Sequence, residues 1–228
     1  MRISNLCIVN IKRKKMKIIN SFQMSFTLAE VLITLVIIGV VAAITVPTIV
    51  ANSNEKALQA ALKKSHSVLQ QGIKRYYVDN GISMGKDTIN SPSVLTNEFF
   101  LKYFNVSCVG LDCPEANNVE YRVYDNKTKA TVMKYPYWLS VMLTDGTYIH
   151  YGIYNSKGIA TLLVDVNGPY KKPNVQGRDT FIFEIDKNGD LVLGGSRKSN
   201  YKENTYCTKS SSYDTSGYGC TTKVLREK

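Results

Sequence analysis

The chain has 228 residues, enough for one globular domain plus an extra element, and its 29 Lys and Arg against 18 Asp and Glu give a formal charge of +11. Six of those bases, Arg2, Lys12, Arg13, Lys14, Lys15 and Lys17, stand in the first 25 residues, which hold no acid; the remainder carries only +5, with its signs interspersed. No RNP-like, zinc-finger or basic-helix pattern accompanies the charge, so nucleic-acid binding is not expected and a solvated surface accounts for the excess. With two histidines and no motif that sets a nucleophile beside a base, an enzyme is not expected either.

The basic head, residues 1–25, leads into "FTLAEVLITLVIIGVVAAITVP". No residue between Glu30 and Glu55 is charged, and the run is long enough to cross a ~30 Å hydrocarbon core as a helix rising ~1.5 Å per residue. The positive-inside rule leaves the head in the cytoplasm and sends the rest outward in a single pass through membrane lipid. A cleaved signal peptide shares the order of basic head and apolar run, but has no use for an acid at the start of its apolar core. A plain signal anchor explains everything except Glu30 and Pro47, and an ionisable group in a membrane helix is expensive enough to mark function.

These residues resemble the N-terminal segment of type IV pilins and of the pseudopilins of type II secretion systems. The resemblance rests on Phe26, the Thr27-Leu28 pair, Glu30 four residues after the Phe, the uninterrupted apolar run and Pro47. It implies that a prepilin peptidase cuts between Ser25 and Phe26 and methylates the new amino terminus. The family's residue before the cut is usually Gly, and this chain has Ser25 there; Met16 offers a shorter leader of the family's usual length. The resemblance further implies partners, namely other pilin or pseudopilin subunits and an inner-membrane assembly platform. It places the chain in the bacterial cytoplasmic membrane, with its C-terminal domain periplasmic or extracellular, and in a surface filament once assembled. Glu30 would then meet the N-terminal charge of a neighbouring subunit, setting register, while also favouring the helix macrodipole from the first turn. The alternative is a single-pass anchored binding module that never polymerises.

Downstream, Leu58, Leu62, Val68, Leu69, Ile73 and Tyr76 recur at near-helical spacing, so residues 26–79 are expected to form one long helix, membrane-spanning over 26–50 and amphipathic beyond. Pro47 should bend or loosen it without ending it, and "DNG" at 79–81 should stop it. His66 reads as a packed or surface histidine. Residues 80–228 form the expected extracytoplasmic head. In it, "SPSVLTNEFFLKYF" holds one short helix. Alternating runs from Val119, Tyr137, Thr147, Ile159 and Thr180, separated by "TDGT", "NSKG" and "KNGD" turns, predict an antiparallel meander of about four strands on the C-terminal half of the helix. The fold class is therefore α+β, the layout the pilin resemblance also implies.

Cys108 and Cys113 are close enough for a small loop, and Cys207 and Cys220 for a longer one that would staple a polar tail. Four cysteines allow three pairings, and spacing alone does not choose. Zinc is disfavoured because neither pair has CxxC spacing, and disulfides would place the head in an oxidising compartment. In "DVNGPYKKPNVQGRD", Asp165, Asn167, Asn174 and Asp179 offer oxygen ligands to a calcium ion, as a head-domain loop does in some pseudopilins. The run lacks the bidentate Glu of an EF-hand, and Asx turns that shape a connection are the preferred reading. "DKNGD" at 186–190 likewise reads as a hairpin turn.

Overall fold

In the computed structural model, residues 27–85, 88–113, 119–125, 138–154, 159–208 and 215–227 are described. Helix α1 (Leu28–Asn80) contains Pro47. Pro47 deprives the helix of one amide donor, yet the helix persists through it, and the hydroxyls of Thr45 and Thr48 turn back onto the carbonyls of Val41 and Thr45. By contacts the chain divides into Met1–Ile49 and Val50–Lys228, just beyond that proline.

Within the second unit, α1 buries Leu62, Ser65, Leu69, Gly72 and Tyr76. Their spacing alternates three and four residues, one stripe of a helix. Two of the five are small: a Cβ on Gly72 would lie 2.4 Å from the Phe104 ring, and Ser65 satisfies its hydroxyl on the Ala61 carbonyl. Val68, expected on the stripe, is only half-buried beside it. After α1 come α2 (Pro92–Leu95), a π-helical turn (Thr96–Phe100) and α3 (Leu101–Tyr103) without a break. Ser91 caps this short helix by accepting from the Val94 amide, with Pro92 just inside, as a helix start requires.

The sheet is a six-stranded antiparallel meander in sequence order: β1 (Val106–Val109), β2 (Leu139–Leu143), β3 (Tyr148–Tyr154), β4 (Ile159–Asp165), β5 (Thr180–Ile185) and β6 (Leu191–Leu193). Two features depart from the sequence expectation. The short edge strands β1 and β6 enlarge the sheet beyond four strands. The run from Val119 is not a strand: it makes one parallel bridge, Arg122 to Val175, and Tyr121 and Val123 are buried from a strap of irregular chain.

Side chains alternate across the sheet. One face sets Val141, Ile149, Tyr151, Leu162, Val164, Phe181, Phe183 and Ile185 against Leu62, Leu69 and Tyr76 of α1. On the other, Leu163 and Ile182 pack with Tyr218 and with Trp138, Tyr201 and Tyr206. Because both faces are covered, all six residues of β5 are buried. Glu184 on that second face is 2 % exposed and is satisfied by the Ser199 hydroxyl at 2.5 Å and the Asn200 side chain at 2.6 Å, which ties the following coil to the sheet.

Candidate functional site

Ser25, Phe26 and the leader lie outside the described residues. The start of α1 is described, and it forms a capping box. Thr27 accepts from the Glu30 amide through its hydroxyl at 3.2 Å, while the Thr27 amide (2.8 Å) and hydroxyl (2.9 Å) both donate to Oε2 of Glu30. The T-x-x-E spacing could have revealed this box from sequence. Beyond it, the apolar side chains of residues 28–50 are exposed: Leu28 is 80 % accessible and Ile44 68 %. α1 is thus one helix long and apolar enough to cross a membrane.

The candidate calcium residues come together at the connection from β4 to β5. Asp165, fully buried, accepts from the amides of Asn167 (3.3 Å) and Gly168 (2.8 Å) through Oδ1 and from the Tyr121 hydroxyl (2.7 Å) through Oδ2. Asp179, also buried, accepts from the amides of Asn174 (2.6 Å) and Val175 (2.7 Å). Asn167 donates to the carbonyls of Lys171 and Lys172, and Asn174 to that of Pro169. These are Asx-type bonds that bend the chain. Burial, and then the neighbouring Asp179 carboxylate, push the Asp165 carboxyl up to about 7 against the opposing donation from Tyr121; burial also raises Asp179. Burial and the Asp165 carboxylate hold the Tyr121 phenol well above its usual range.

As a cation cage this set is poor. Calcium takes six to eight oxygens, whereas all four carboxylate oxygens here already accept internal bonds, leaving the buried Oδ1 atoms of Asn167 and Asn174 as the amide oxygens without a partner. Among the described residues, no three His, Cys, Asp or Glu side chains gather as a metal set. In the second candidate run, Asp186 accepts from the amides of Asn188 and Asp190 and Gly189 has φ +85°, which makes it the β5–β6 turn.

Cys108 is bonded to Cys113, and Cys207 to Cys220. The second bridge holds α4 (Glu203–Tyr206) to the chain entering α5 (Thr221–Arg226). Gly217, at φ +103°, lets this tail pass the backbone of Gln176, where a Cβ would fall 2.5 Å from the carbonyl oxygen. The C-terminal end is fixed to α1, since Gln59 donates to the carbonyls of Val224 and Glu227.

The two histidines sit in different surroundings. His66 is half-buried and stacks on Phe183, with burial lowering its pKa. His150 is buried under Trp138, and burial holds it neutral, with a pKa of about 4. Compared with models of known protein families, with curated proteins and with solved structures, the chain has no match.

Proposed function

We propose that this chain is a structural subunit, a pilin or pseudopilin, of a type IV pilus-like or type II secretion filament, and that it assembles through α1 after a prepilin peptidase cuts before Phe26. The observation that carries the reading is the exposure of residues 28–50 on every side. Ile33, Val36, Ile38, Ile44 and Ile49 are each more than half accessible, and at ~100° per residue they point all round the axis. A helix apolar on its whole circumference needs lipid or other helices around it. Both are available to a filament subunit, lipid before assembly and neighbouring α1 helices after.

Glu30 supplies the specificity. Thr27 occupies Oε2, so the carboxylate can cap its own helix and still turn Oε1 to the ammonium of a neighbour's first residue. In a low-dielectric bundle either charge unpaired costs several kcal/mol, so a misregistered subunit is rejected. The inner-membrane assembly platform and the peptidase are the further partners of this reading. Mass spectrometry of the protein extracted from its native membrane tests it. The expected chain begins at N-methylated Phe26; an intact leader would instead favour an anchored binding module that does not polymerise.

A further inference from the structure

The connections at the two ends of the sheet sort along α1. Asp145, in the β2–β3 turn, pairs with Lys64 at 2.7 Å, and Arg178, in the β4–β5 connection, pairs with Glu55. At the opposite end, Gly85 and Gly189 bring the chain after α1 against the β5–β6 turn, where a Cβ on Gly85 would meet the Lys187 carbonyl at 2.6 Å. The β4–β5 connection therefore lies at the end of the head where α1 enters it. Glu55 follows Val50 by five residues, which even fully extended reach only about 17 Å. Whatever the angle between the units, the Glu55–Arg178 pair is tethered that close to the end of the apolar run.

The tip of this connection reads "GPYKKP". Tyr170 is 54 % exposed, and Lys171 and Lys172 are exposed. Among the described residues, no carboxylate lies within ion-pair distance of either lysine. The tip is also built: Asp165 and Asn174 pin its base, Asn167 holds the Lys171 and Lys172 carbonyls, and the Lys171 amide bonds the Gly168 carbonyl. Beside it a cleft of about 490 Å³ carries Lys56 and Arg178 together with Glu55, Asp125 and Glu227. The tip itself carries two lysines and no acid. An amphipathic ring at headgroup depth flanked by ammonium groups suits the phosphate layer of a bilayer.

We propose that residues 168–173 form a membrane-surface foot: in the unassembled subunit, Tyr170 enters the headgroup layer of the leaflet from which α1 emerges, and Lys171 and Lys172 contact anionic phospholipid. The inference rests on the membrane reading of α1 but not on filament assembly. Leaving the membrane for a filament would then require the foot to lift, so anionic lipid would hold back assembly.

The test is lysine acylation footprinting of the full chain in phosphatidylglycerol-containing nanodiscs, in phosphatidylcholine nanodiscs and in detergent, with exposed Lys187 at the far end of the head as internal reference. In the anionic discs, acylation of Lys171 and Lys172 relative to Lys187 should fall roughly fivefold, a local preference set by about 1 kcal/mol per lysine at such a surface. High salt should reverse it. Equal rates in all three settings overturn the proposal, and so does protection that is salt-insensitive and the same in both disc types, since that reports shielding by the tether alone. Failure of the chain to co-purify with discs would instead contradict the membrane reading itself.

Discussion

The two halves of α1 differ in the number of their aliphatic side chains, fourteen Val, Leu and Ile in residues 28–50 against six in residues 51–80, and put them to opposite use. In residues 28–50 they project all round the helix and are accessible; in the second unit they are gathered on one stripe, with Leu62 and Leu69 sealed against the sheet. Apolar content and angular distribution both distinguish the halves, and the distribution decides what each can pack against. A stripe is satisfied by one partner surface, whereas a full ring is satisfied only by a surrounding medium. One continuous helix therefore contributes to the core of its own head and, over residues 28–50, presents an exposed apolar ring.

Core truncation should separate the two halves of α1 most strongly. Leu62→Ala should destabilise the head by about 2–5 kcal/mol, read by denaturant unfolding in detergent. Ile38→Ala, in the exposed half, should leave that transition where it is. Equal losses would mean that residues 28–50 are part of the head's own core.

Beyond apolar burial, a buried carboxyl bears on the stability of the head. The Asp165 carboxyl is raised in the folded state to about 7 from an ordinary value near 3.8. At this group the native state therefore binds more protons than the unfolded chain between those pH values, and the contribution of Asp165 to stability should be full below about pH 4 and fall by a few kcal/mol as pH rises to about 7. Asp165→Asn keeps an acceptor for the Asn167 and Gly168 amides and should flatten that slope. A wild-type profile already flat across this window would show that Asp165 is not held protonated by the fold. Smallest of all should be the response to calcium: the internally satisfied carboxylates predict no thermal shift of the head at millimolar concentrations, and a shift abolished by Asp165→Ala would restore the ion as a ligand.

The legible parts of this fold are those whose physics is local. The helix period, the Asn-Gly and Asp-Gly hairpin turns and the short-range cysteine pairs each involve neighbours in sequence, and the structure contains them. What escaped depends on distant partners. Gly72 lies on the buried stripe because the Phe104 ring leaves no room for a Cβ there, and neither Gly72 nor Ser65 announces burial. Residues 119–125 alternate like a strand, yet Tyr121 is buried to reach Asp165 and the strap has only one bridge. The edge strand β1 has four residues and an irregular register against β2, too little pattern to read. At the candidate site, Glu30 and the carboxamide-rich connection stood out by residue type, whereas the exposure of the Tyr170 tip at the end of the head nearest the apolar run required the pairing of Arg178 with Glu55.

The most direct test of assembly through α1 separates the two roles of Glu30. A Gln at that position keeps the capping box with Thr27 but removes the charge. In cells that make the filament, the account predicts that Glu30→Gln is inserted and stable in the membrane but absent from sheared filaments, with wild-type chain present in both. Recovery of Glu30→Gln in filaments at the wild-type level would contradict it and reduce Glu30 to a helix cap.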